Sequence, residues 1–497
     1  MRGRNLVLTA MIFAVSMTFI DQTIVSIAAP SIQQELGLTS TGVQWAVNAY
    51  LLALAALFAF GGRLADTMGH RRMVIVGVIV FATASALCGL TPKGSIAETW
   101  IIVFRAVQGV GGALMFPAAL AIVVQTFDLH QRGRALALFF GIAGGLTAIG
   151  PALGGFLTEW TWRAIFWVNI PVALIALILI AISRPVTDYK PAPIDYRGLV
   201  LIAAGVGLSV LGFQQSANWG WHDARTIGCI VAGALLLVVF WFVERGTPSP
   251  LIDVRIFSIR PFTVETLVLG ISNLVFIPVF FFASEYAQIG LGKSASGASL
   301  VLLYFFLGFV VAAQIGGRML DRIGAKRPVV LGCALAAVGL WLWLWGSKVT
   351  DLSLGSQVWF VVLSGAGMGF MLGPSSTDAV NRASRLSYGE ATGITQTVRN
   401  YAASLGLASL GSLAVARMRD HLTSSLVAQG LPHDRAAHEA ATIAQSRGGT
   451  AKAIPHFIRL DFAHATQSVL YAMAIVMACA TAVAVLGLRR GVQQETA

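Results

Sequence analysis

The sequence predicts an all-α polytopic membrane protein of 14 transmembrane helices, two pseudo-symmetric six-helix bundles with two helices inserted between them. Three observations predict it. Of the 497 residues 56% are hydrophobic and only 11% charged, with a mean hydropathy of +0.76, whereas about a quarter of a soluble chain is charged. Apolar runs of about twenty residues, long enough to span a bilayer as helices, recur from end to end. A window, Gly61–Arg72 (GGRLADTMGHRR), returns at Gly316–Arg327 (GGRMLDRIGAKR), 316 − 61 = 255 residues later, each copy between two apolar runs. A short, charged, glycine-flanked turn repeated in this way points to two related halves.

The first six spans are expected near residues 5–30, 44–62, 73–91, 99–127, 135–158 and 164–183, which makes 1–183 an N-terminal bundle. The opening MRGRNLVLTAMIFAV is like a signal peptide, but no polar mature domain follows, so it is read as the first membrane helix. Prolines and charges in Arg184–Gly198 mark a linker; spans near 199–215 and 226–243 follow, then a Pro-rich connector, Arg245–Pro261, so that 184–261 is a linker carrying two inserted helices. The last six spans lie near 262–283, 298–316, 328–347, 357–373, 393–416 and 467–488, giving a C-terminal bundle, 262–497. Its long polar outer loop, 417–467, holds a short helix near Asp434–Ser446. The first window falls between spans two and three and the second between ten and eleven. Plain duplication of six helices would put it between eight and nine, so two helices were added.

With the N-terminus inside, inner segments hold about 21 Lys and Arg and outer ones about 11, roughly six of them in the long loop, which weighs little. Both termini and both windows are then cytoplasmic, and the expected location is the cell membrane. The net charge of +12 comes without a basic block or arm, so no nucleic-acid partner is expected. Cys88, Cys229, Cys333 and Cys479 all lie in apolar runs, which argues against a disulfide framework or a metal site.

Asp21 interrupts the first span. A carboxylate at bilayer depth costs several kcal/mol unless protonated, paired or facing water. It either fixes helix packing by a hydrogen bond or carries a proton, and the second reading is favoured. Arg105 in the fourth span cannot readily lose its proton and must face a partner or a cavity; Gln108 shares its helix face. Gly144–Gly155 (GGLTAIGPALGG) combines a kinking proline with glycines that admit close helix approach. Trp162–Pro171 places tryptophans at interfacial depth. Glu265, Glu285 and Arg399 lie near expected span ends, where structural roles are common, with Asn273 and Gln314 deeper; Glu265 is the best of these for a second proton or cation site. Two short matches are set aside. Ala287–Ser294 (AQIGLGKS) is like a phosphate loop but follows no strand, and His456–Asp461 (HFIRLD) has an acyltransferase spacing without catalytic partners.

Together these residues resemble the major facilitator superfamily, and specifically its fourteen-helix drug:proton antiporters. Gly62–Arg72 resembles the family's loop motif, with Leu64, Asp66, Gly69 and Arg71 in place but Thr67 and His70 where basic residues are usual. Asp21–Val25 resembles the first-helix motif, with Ser26 for the more usual Asn; Gln44-Trp45 through Tyr50 the opening of the second helix; Arg105–Gly109 the fourth-helix proton-coupling motif; and Gly150–Gly155 the antiporter motif of the fifth helix. The resemblance implies a proton-coupled antiporter that exports amphipathic small molecules by alternating access. The alternative is a dedicated exporter of one endogenous compound, such as a lipid, siderophore or self-made antibiotic. It assigns proton coupling to Asp21, Arg105 and Glu265, and gating to Gly62, Asp66, Gly69, Arg71, Asp321 and Arg322. Gly150, Pro151, Gly154 and Gly155 form the antiporter helix. Candidates for the substrate cavity are Gln22, Trp45, Asn48, Tyr50, Gln108, Asn273 and Gln314. The implied protein is a monomer with substrate, protons and lipid as partners, no enzyme, and without a cofactor because the proton gradient supplies the energy.

Overall fold

A computed structural model describes residues 2–127, 129–185, 193–383, 388–445, 454–488 and 491, and among these every regular element is a helix. The first half holds α1 (Arg2–Leu36), α2 (Ser40–Met68), α3 (His70–Gly89), α4 (Ala97–Thr126), α5 (Leu129–Trp160), and α6 (Ala164–Trp167) running into α7 (Asn169–Ser183). Then come α8 (Tyr196–Trp219) and α9 (Ala224–Gly246). The second half holds α10 (Arg260–Glu285), α11 (Ala295–Ile323), α12 (Lys326–Trp343), α13 (Lys348–Asp351), α14 (Val358–Arg382), α15 (Tyr388–Ala428), α16 (His433–Gln445) and α17 (His456–Gly487). Among the described residues twelve helical stretches are long and apolar enough to cross a membrane. α5 and α15, of 32 and 41 residues, exceed the roughly twenty a bilayer requires and bring the total to fourteen.

Burial within the bundle sorts the helices. In its most apolar stretch α10 is 83% buried by its neighbours and α9 only 17%, so α10 is central and α9 presents Val231, Leu235, Val238 and Phe242 outward, as lipid demands. Small residues set the close crossings. Gly77 of α3 meets Gly111 of α4, and Gly332 of α12 meets Gly367 of α14; Gly61 and Gly109 seat α2 on α4, as Gly316 and Gly365 seat α11 on α14. At each of these eight glycines a Cβ would collide with the facing helix. The pairs 61/316 and 77/332 are 255 apart, and 109/365 and 111/367 are 256 apart. The repeat therefore runs through the packing of both halves.

The helices correct several expected boundaries. The repeated window is mostly helix: Gly61–Met68 completes α2 and Gly316–Ile323 completes α11. The turn shrinks to Gly69 (φ +98°) and Gly324 (φ +80°), a backbone region that glycine enters without strain. Most of the supposed outer loop 417–467 is helical too. α15 runs on to Ala428, α16 spans His433–Gln445, and α17 begins at His456; residues 446–453 lie outside the described set. Leu422 and Leu426 of α15 pack with Ala436 and Ala440 of α16, so this excursion has its own small core. α14 continues to Arg382, beyond the expected end at 373. Polar side chains at helix ends lower mean hydropathy without stopping a helix. Parts of the Arg184–Gly198 linker (186–192) and of the C-terminal tail (489–490 and 492–497) lie outside the described residues.

Candidate functional site

Asp21, Arg105 and Gln108 meet in a sealed cluster inside the first half. Asp21 is 0% and Arg105 1% exposed. Arg105 Nη1 donates to Asp21 Oδ2 at 2.6 Å and to Gln108 Oε1 at 2.7 Å, while Gln108 Nε2 donates to Asp21 Oδ1 at 2.9 Å. Arg105 Nε donates to the Ala46 carbonyl of α2 at 2.9 Å. The guanidinium carbon lies 4.6 Å from the centre of the Tyr50 ring, whose hydroxyl donates to the Thr18 carbonyl at 3.3 Å. Helices α1, α2 and α4 thus converge on one charge pair. Both carboxylate oxygens accept from donors, the pattern of an ionised acid. A buried pair without such completion would be unstable.

The Gly-Pro stretch of α5 faces two ways. Gly150 and Gly154 lie against Thr23 and Ile24 of α1, immediately after Asp21, and Thr23 Oγ1 donates to the Thr147 carbonyl at 3.0 Å. Gly155 lies against Ser296 and Ser299 of α11, in the other half. One short segment therefore touches both the charge cluster's helix and the partner bundle.

Hydrogen bonds between the halves cluster at the end of the bundle where α1 gives way to α2. Gln288 Nε2 donates to the Ile27 carbonyl at 2.9 Å, and Ser294 and Ser296 both donate to Glu159. At the same end Glu35 accepts from Trp162 Nε1 (2.7 Å) and Arg163 Nη1 (2.8 Å). Trp162 is thus buried against a carboxylate instead of lying in a lipid-facing belt. A polar chain crosses α2, α8 and α15: Ser404 Oγ donates to Asn48 Oδ1 (2.6 Å), Asn48 Nδ2 to Gln214 Oε1 (3.0 Å), and Gln214 Nε2 to Gln44 Oε1 (3.1 Å). Ser216 and Ser412 meet at 2.5 Å. The inserted helix α8 is bonded to both halves.

At the opposite end, His70 Nε2 lies 3.1 Å from Asp66 Oδ1. The histidine that departs from the loop motif is itself the partner of the motif's aspartate. Gly62 and Arg71 are half-buried nearby; Asp321 and Arg322 are exposed at the end of α11. Of the proposed cavity residues, Gln22 and Trp45 are half-buried and Gln314 is exposed on α11. Asn48, Tyr50 and Gln108 are spent on internal bonds, and Asn273 Nδ2 donates to the Leu269 carbonyl of its own helix at 2.8 Å.

Glu265 is 0% exposed, deeper than a span-end residue should be. Ser375 Oγ donates to its Oε2. Asp378, 4% exposed and bonded to Arg382 Nε at 2.5 Å, lies within hydrogen-bonding reach of the Glu265 carboxyl. The expected span boundary at 373 hid Ser375, Asp378 and Arg382. The i,i+4 spacing of Asp378 and Arg382 was the available signal. Arg399 sits 399 − 388 = 11 residues into α15, with Nη1 donating to Gln396 Oε1 at 2.8 Å, while Glu285 closes α10. Of the two set-aside matches, Ala287–Ser294 follows a helix, and Asp461 accepts from Ser425 Oγ at 2.9 Å while His456 is exposed.

The family model described as Major Facilitator Superfamily matches residues 11–407. The tetracenomycin C resistance and export protein of Streptomyces glaucescens is 35% identical over 440 residues, covering 87% of this chain and 80% of that protein. The multidrug transporter protein MdtP of Bacillus subtilis (strain 168) is 30% identical over 432 residues, covering 85% and 78%. Among solved structures, a bacterial homolog of the human lysosomal transporter Spinster, inward-facing and unoccupied, superposes with a TM-score of 0.63 at 17% identity, covering 98% of this chain and 97% of that one.

Proposed function

This chain belongs to the major facilitator superfamily, and we propose that within it the protein exports amphipathic small molecules across the cell membrane in exchange for protons. The observation that carries the reading is the buried Asp21–Arg105–Gln108 cluster. Asp21 binds a proton from outside when the cluster opens that way, and the substrate leaves. The proton then departs inward, Asp21 returns to Arg105, and substrate enters from the cytoplasm or inner leaflet. Coupling requires proton and substrate to favour opposite states of one equilibrium.

One stage of that cycle accounts for the contacts described above. Hydrogen bonds across the halves close the α1–α2 end, which the Lys and Arg distribution assigns to the outside. Donors on both Asp21 oxygens favour the ionised acid in the same state. An outward-closed transporter whose carrier has lost its proton is ready for substrate from within. Both termini are cytoplasmic on this reading, 1–183 and 262–497 are the bundles that rock, 184–261 joins them, and the protein works as a monomer without a cofactor.

Efflux from proteoliposomes with an imposed pH gradient tests the proposal. Wild type exports a fluorescent amphipath only while the gradient lasts, and Asp21→Asn does not. Gradient-driven export by the variant contradicts it. A second reading, export of one self-made compound, is favoured by the relative named for tetracenomycin C resistance and export. A transport panel separates the two: efflux of many dyes supports the first, and efflux of a single compound the second.

A further inference from the structure

The connectors that flank the two inserted helices meet at a pair of acids. Asp195 caps the first turn of α8, its Oδ1 accepting from the Gly198 amide at 2.8 Å. Glu244 stands in the last turn of α9 at 0% exposure, and its Oε2 accepts from the Ile252 amide at 2.9 Å. The other oxygen of each, Asp195 Oδ2 and Glu244 Oε1, is sealed from solvent and has no donor among the described residues. These two oxygens face one gap. A Cβ on Gly198 would collide with Glu244 Oε1 and stand 3.0 Å from Asp195 Oδ2, and the two carboxyls lie within hydrogen-bonding reach of each other.

Two carboxylate oxygens are acceptors only, so a bond between them needs a proton, and buried carboxyls in contact do not both ionise. One proton satisfies both orphaned oxygens, and the helices say where it sits. Negative charge is favoured at the N-terminus of α8, where Asp195 stands, and disfavoured at the C-terminus of α9, where Glu244 stands. Glu244 Oε1 therefore carries the proton and donates it to Asp195 Oδ2. The cations of the surrounding elements are engaged elsewhere or turned outward. Arg197 of α8 and Arg245 of α9 are exposed. Arg255, in the helical turn Val254–Ser258, lies 3.7 Å from Asp253, and Arg63 of α2 donates to the Pro193 carbonyl at 3.4 Å. Among the described residues Asp195 is the charged group that acts on Glu244.

We propose that Asp195 and Glu244 form a cytosolic proton-binding latch that brakes the transporter when the cytosol turns acid and releases it when the cytosol turns alkaline. The shared proton stands independently of the antiport reading; the braking role and the cytosolic placement rest on that reading. α8 is bonded to α2 through Gln214 and to α15 through Ser209 and Ser216, one helix from each half. With the proton in place, the latch fixes the connector before α8 to the one after α9, and α8 resists the rocking of the halves. Loss of the proton leaves two anions side by side and parts the helix ends. Antiport delivers protons to the cytosol, so turnover itself sets the latch.

Melting temperature against pH reads the shared proton, and flux reads its use. The folded protein holds this proton more tightly than the unfolded chain, so the stability it contributes is lost as pH rises. Glu244→Gln keeps the bond to Asp195 through an amide that does not titrate. Asp195→Asn still caps α8 and can donate to Glu244. Wild type should match both variants at acid pH and fall below both at alkaline pH. In proteoliposomes with the pH difference held constant, wild-type export should rise several-fold as the cytosolic side is made alkaline, while Glu244→Gln stays slow throughout. Parallel stability profiles in wild type and both variants, or an equal rise in export by Glu244→Gln, overturn the proposal. Wild-type stability that follows sodium or potassium concentration instead of pH assigns the gap to a metal cation and overturns it as well. Wild-type export that ignores the imposed gradient would instead overturn the antiport reading, and the stability result would stand apart from it.

Discussion

Asp21 and Arg105 allow a test that separates a proton carrier from a packing tie. Removing one member of a buried ion pair costs about 3–5 kcal/mol, because the remaining charge stays buried without a counterion. Asp21→Asn keeps the shape but leaves Arg105 facing only the neutral groups of Gln108, Ala46 and Tyr50. Arg105→Gln leaves Asp21 charged with only the Gln108 amide bonded to it. Each single variant should therefore lose an amount in that range, seen as a lower melting temperature of the purified protein. The double variant has no buried charge, and neutral replacement of a buried pair is often close to isoenergetic. It should be more stable than either single variant, with a coupling energy at or above the roughly 0.5–3 kcal/mol usual for contacting residues. Export then decides the role. A tie that only holds helices together would be restored with stability. A carrier would not, because the cluster no longer holds a carboxyl. The double variant should regain its melting temperature and still fail to export under an imposed pH gradient. Recovery of gradient-driven export would refute the reasoning.

Three further outcomes follow from named contacts. Gly155→Leu drives a side chain into Ser296 and Ser299 of α11. It should wedge the closed end apart, so that a cysteine placed at Thr158 reacts faster with a membrane-impermeant thiol reagent; equal rates would count against this. Gln214→Leu strands the buried amides of Asn48 and Gln44, at about 1–3 kcal/mol for an unsatisfied group. A lower melting temperature is expected, and an unchanged one would mean that α8 contributes no bond of consequence. Asp66→Ala removes the partner of His70 and should slow export several-fold while equilibrium binding of a fluorescent substrate persists. Lost binding with normal turnover would point away from a gate.

The architecture was legible because lipid is a demanding solvent. With water excluded from the core of the bilayer, each crossing must be a helix of minimum length, and hydropathy counts them. Asp21 and Arg105 stood out for the same reason, as charges where charge is costly. What escaped was whatever the apolar average blurs. The last turns of α14 carry Ser375, Asp378 and Arg382, and their polarity reads as loop although the helix continues. Asn48 looked available to a substrate, but a sequence does not say that Gln214 and Ser404 come from distant helices to occupy it.

The repeat also reaches beyond its charged window. Its spacing extends to the glycines that set the α3–α4 and α12–α14 crossings. The same spacing puts Phe276 opposite Asp21 (21 + 255) and, at the 256 of the later glycines, Val361 opposite Arg105 (105 + 256). Both of those second-half residues are buried and apolar. Duplication thus kept the positions where backbones touch, since no side chain fits there, and left the positions between them free to diverge. In the first half they hold a carboxylate with both oxygens bonded to donors; in the second, Glu265 lies elsewhere on its helix with one oxygen unmet. The scaffold is thus symmetric in its backbone contacts and asymmetric in its buried charges.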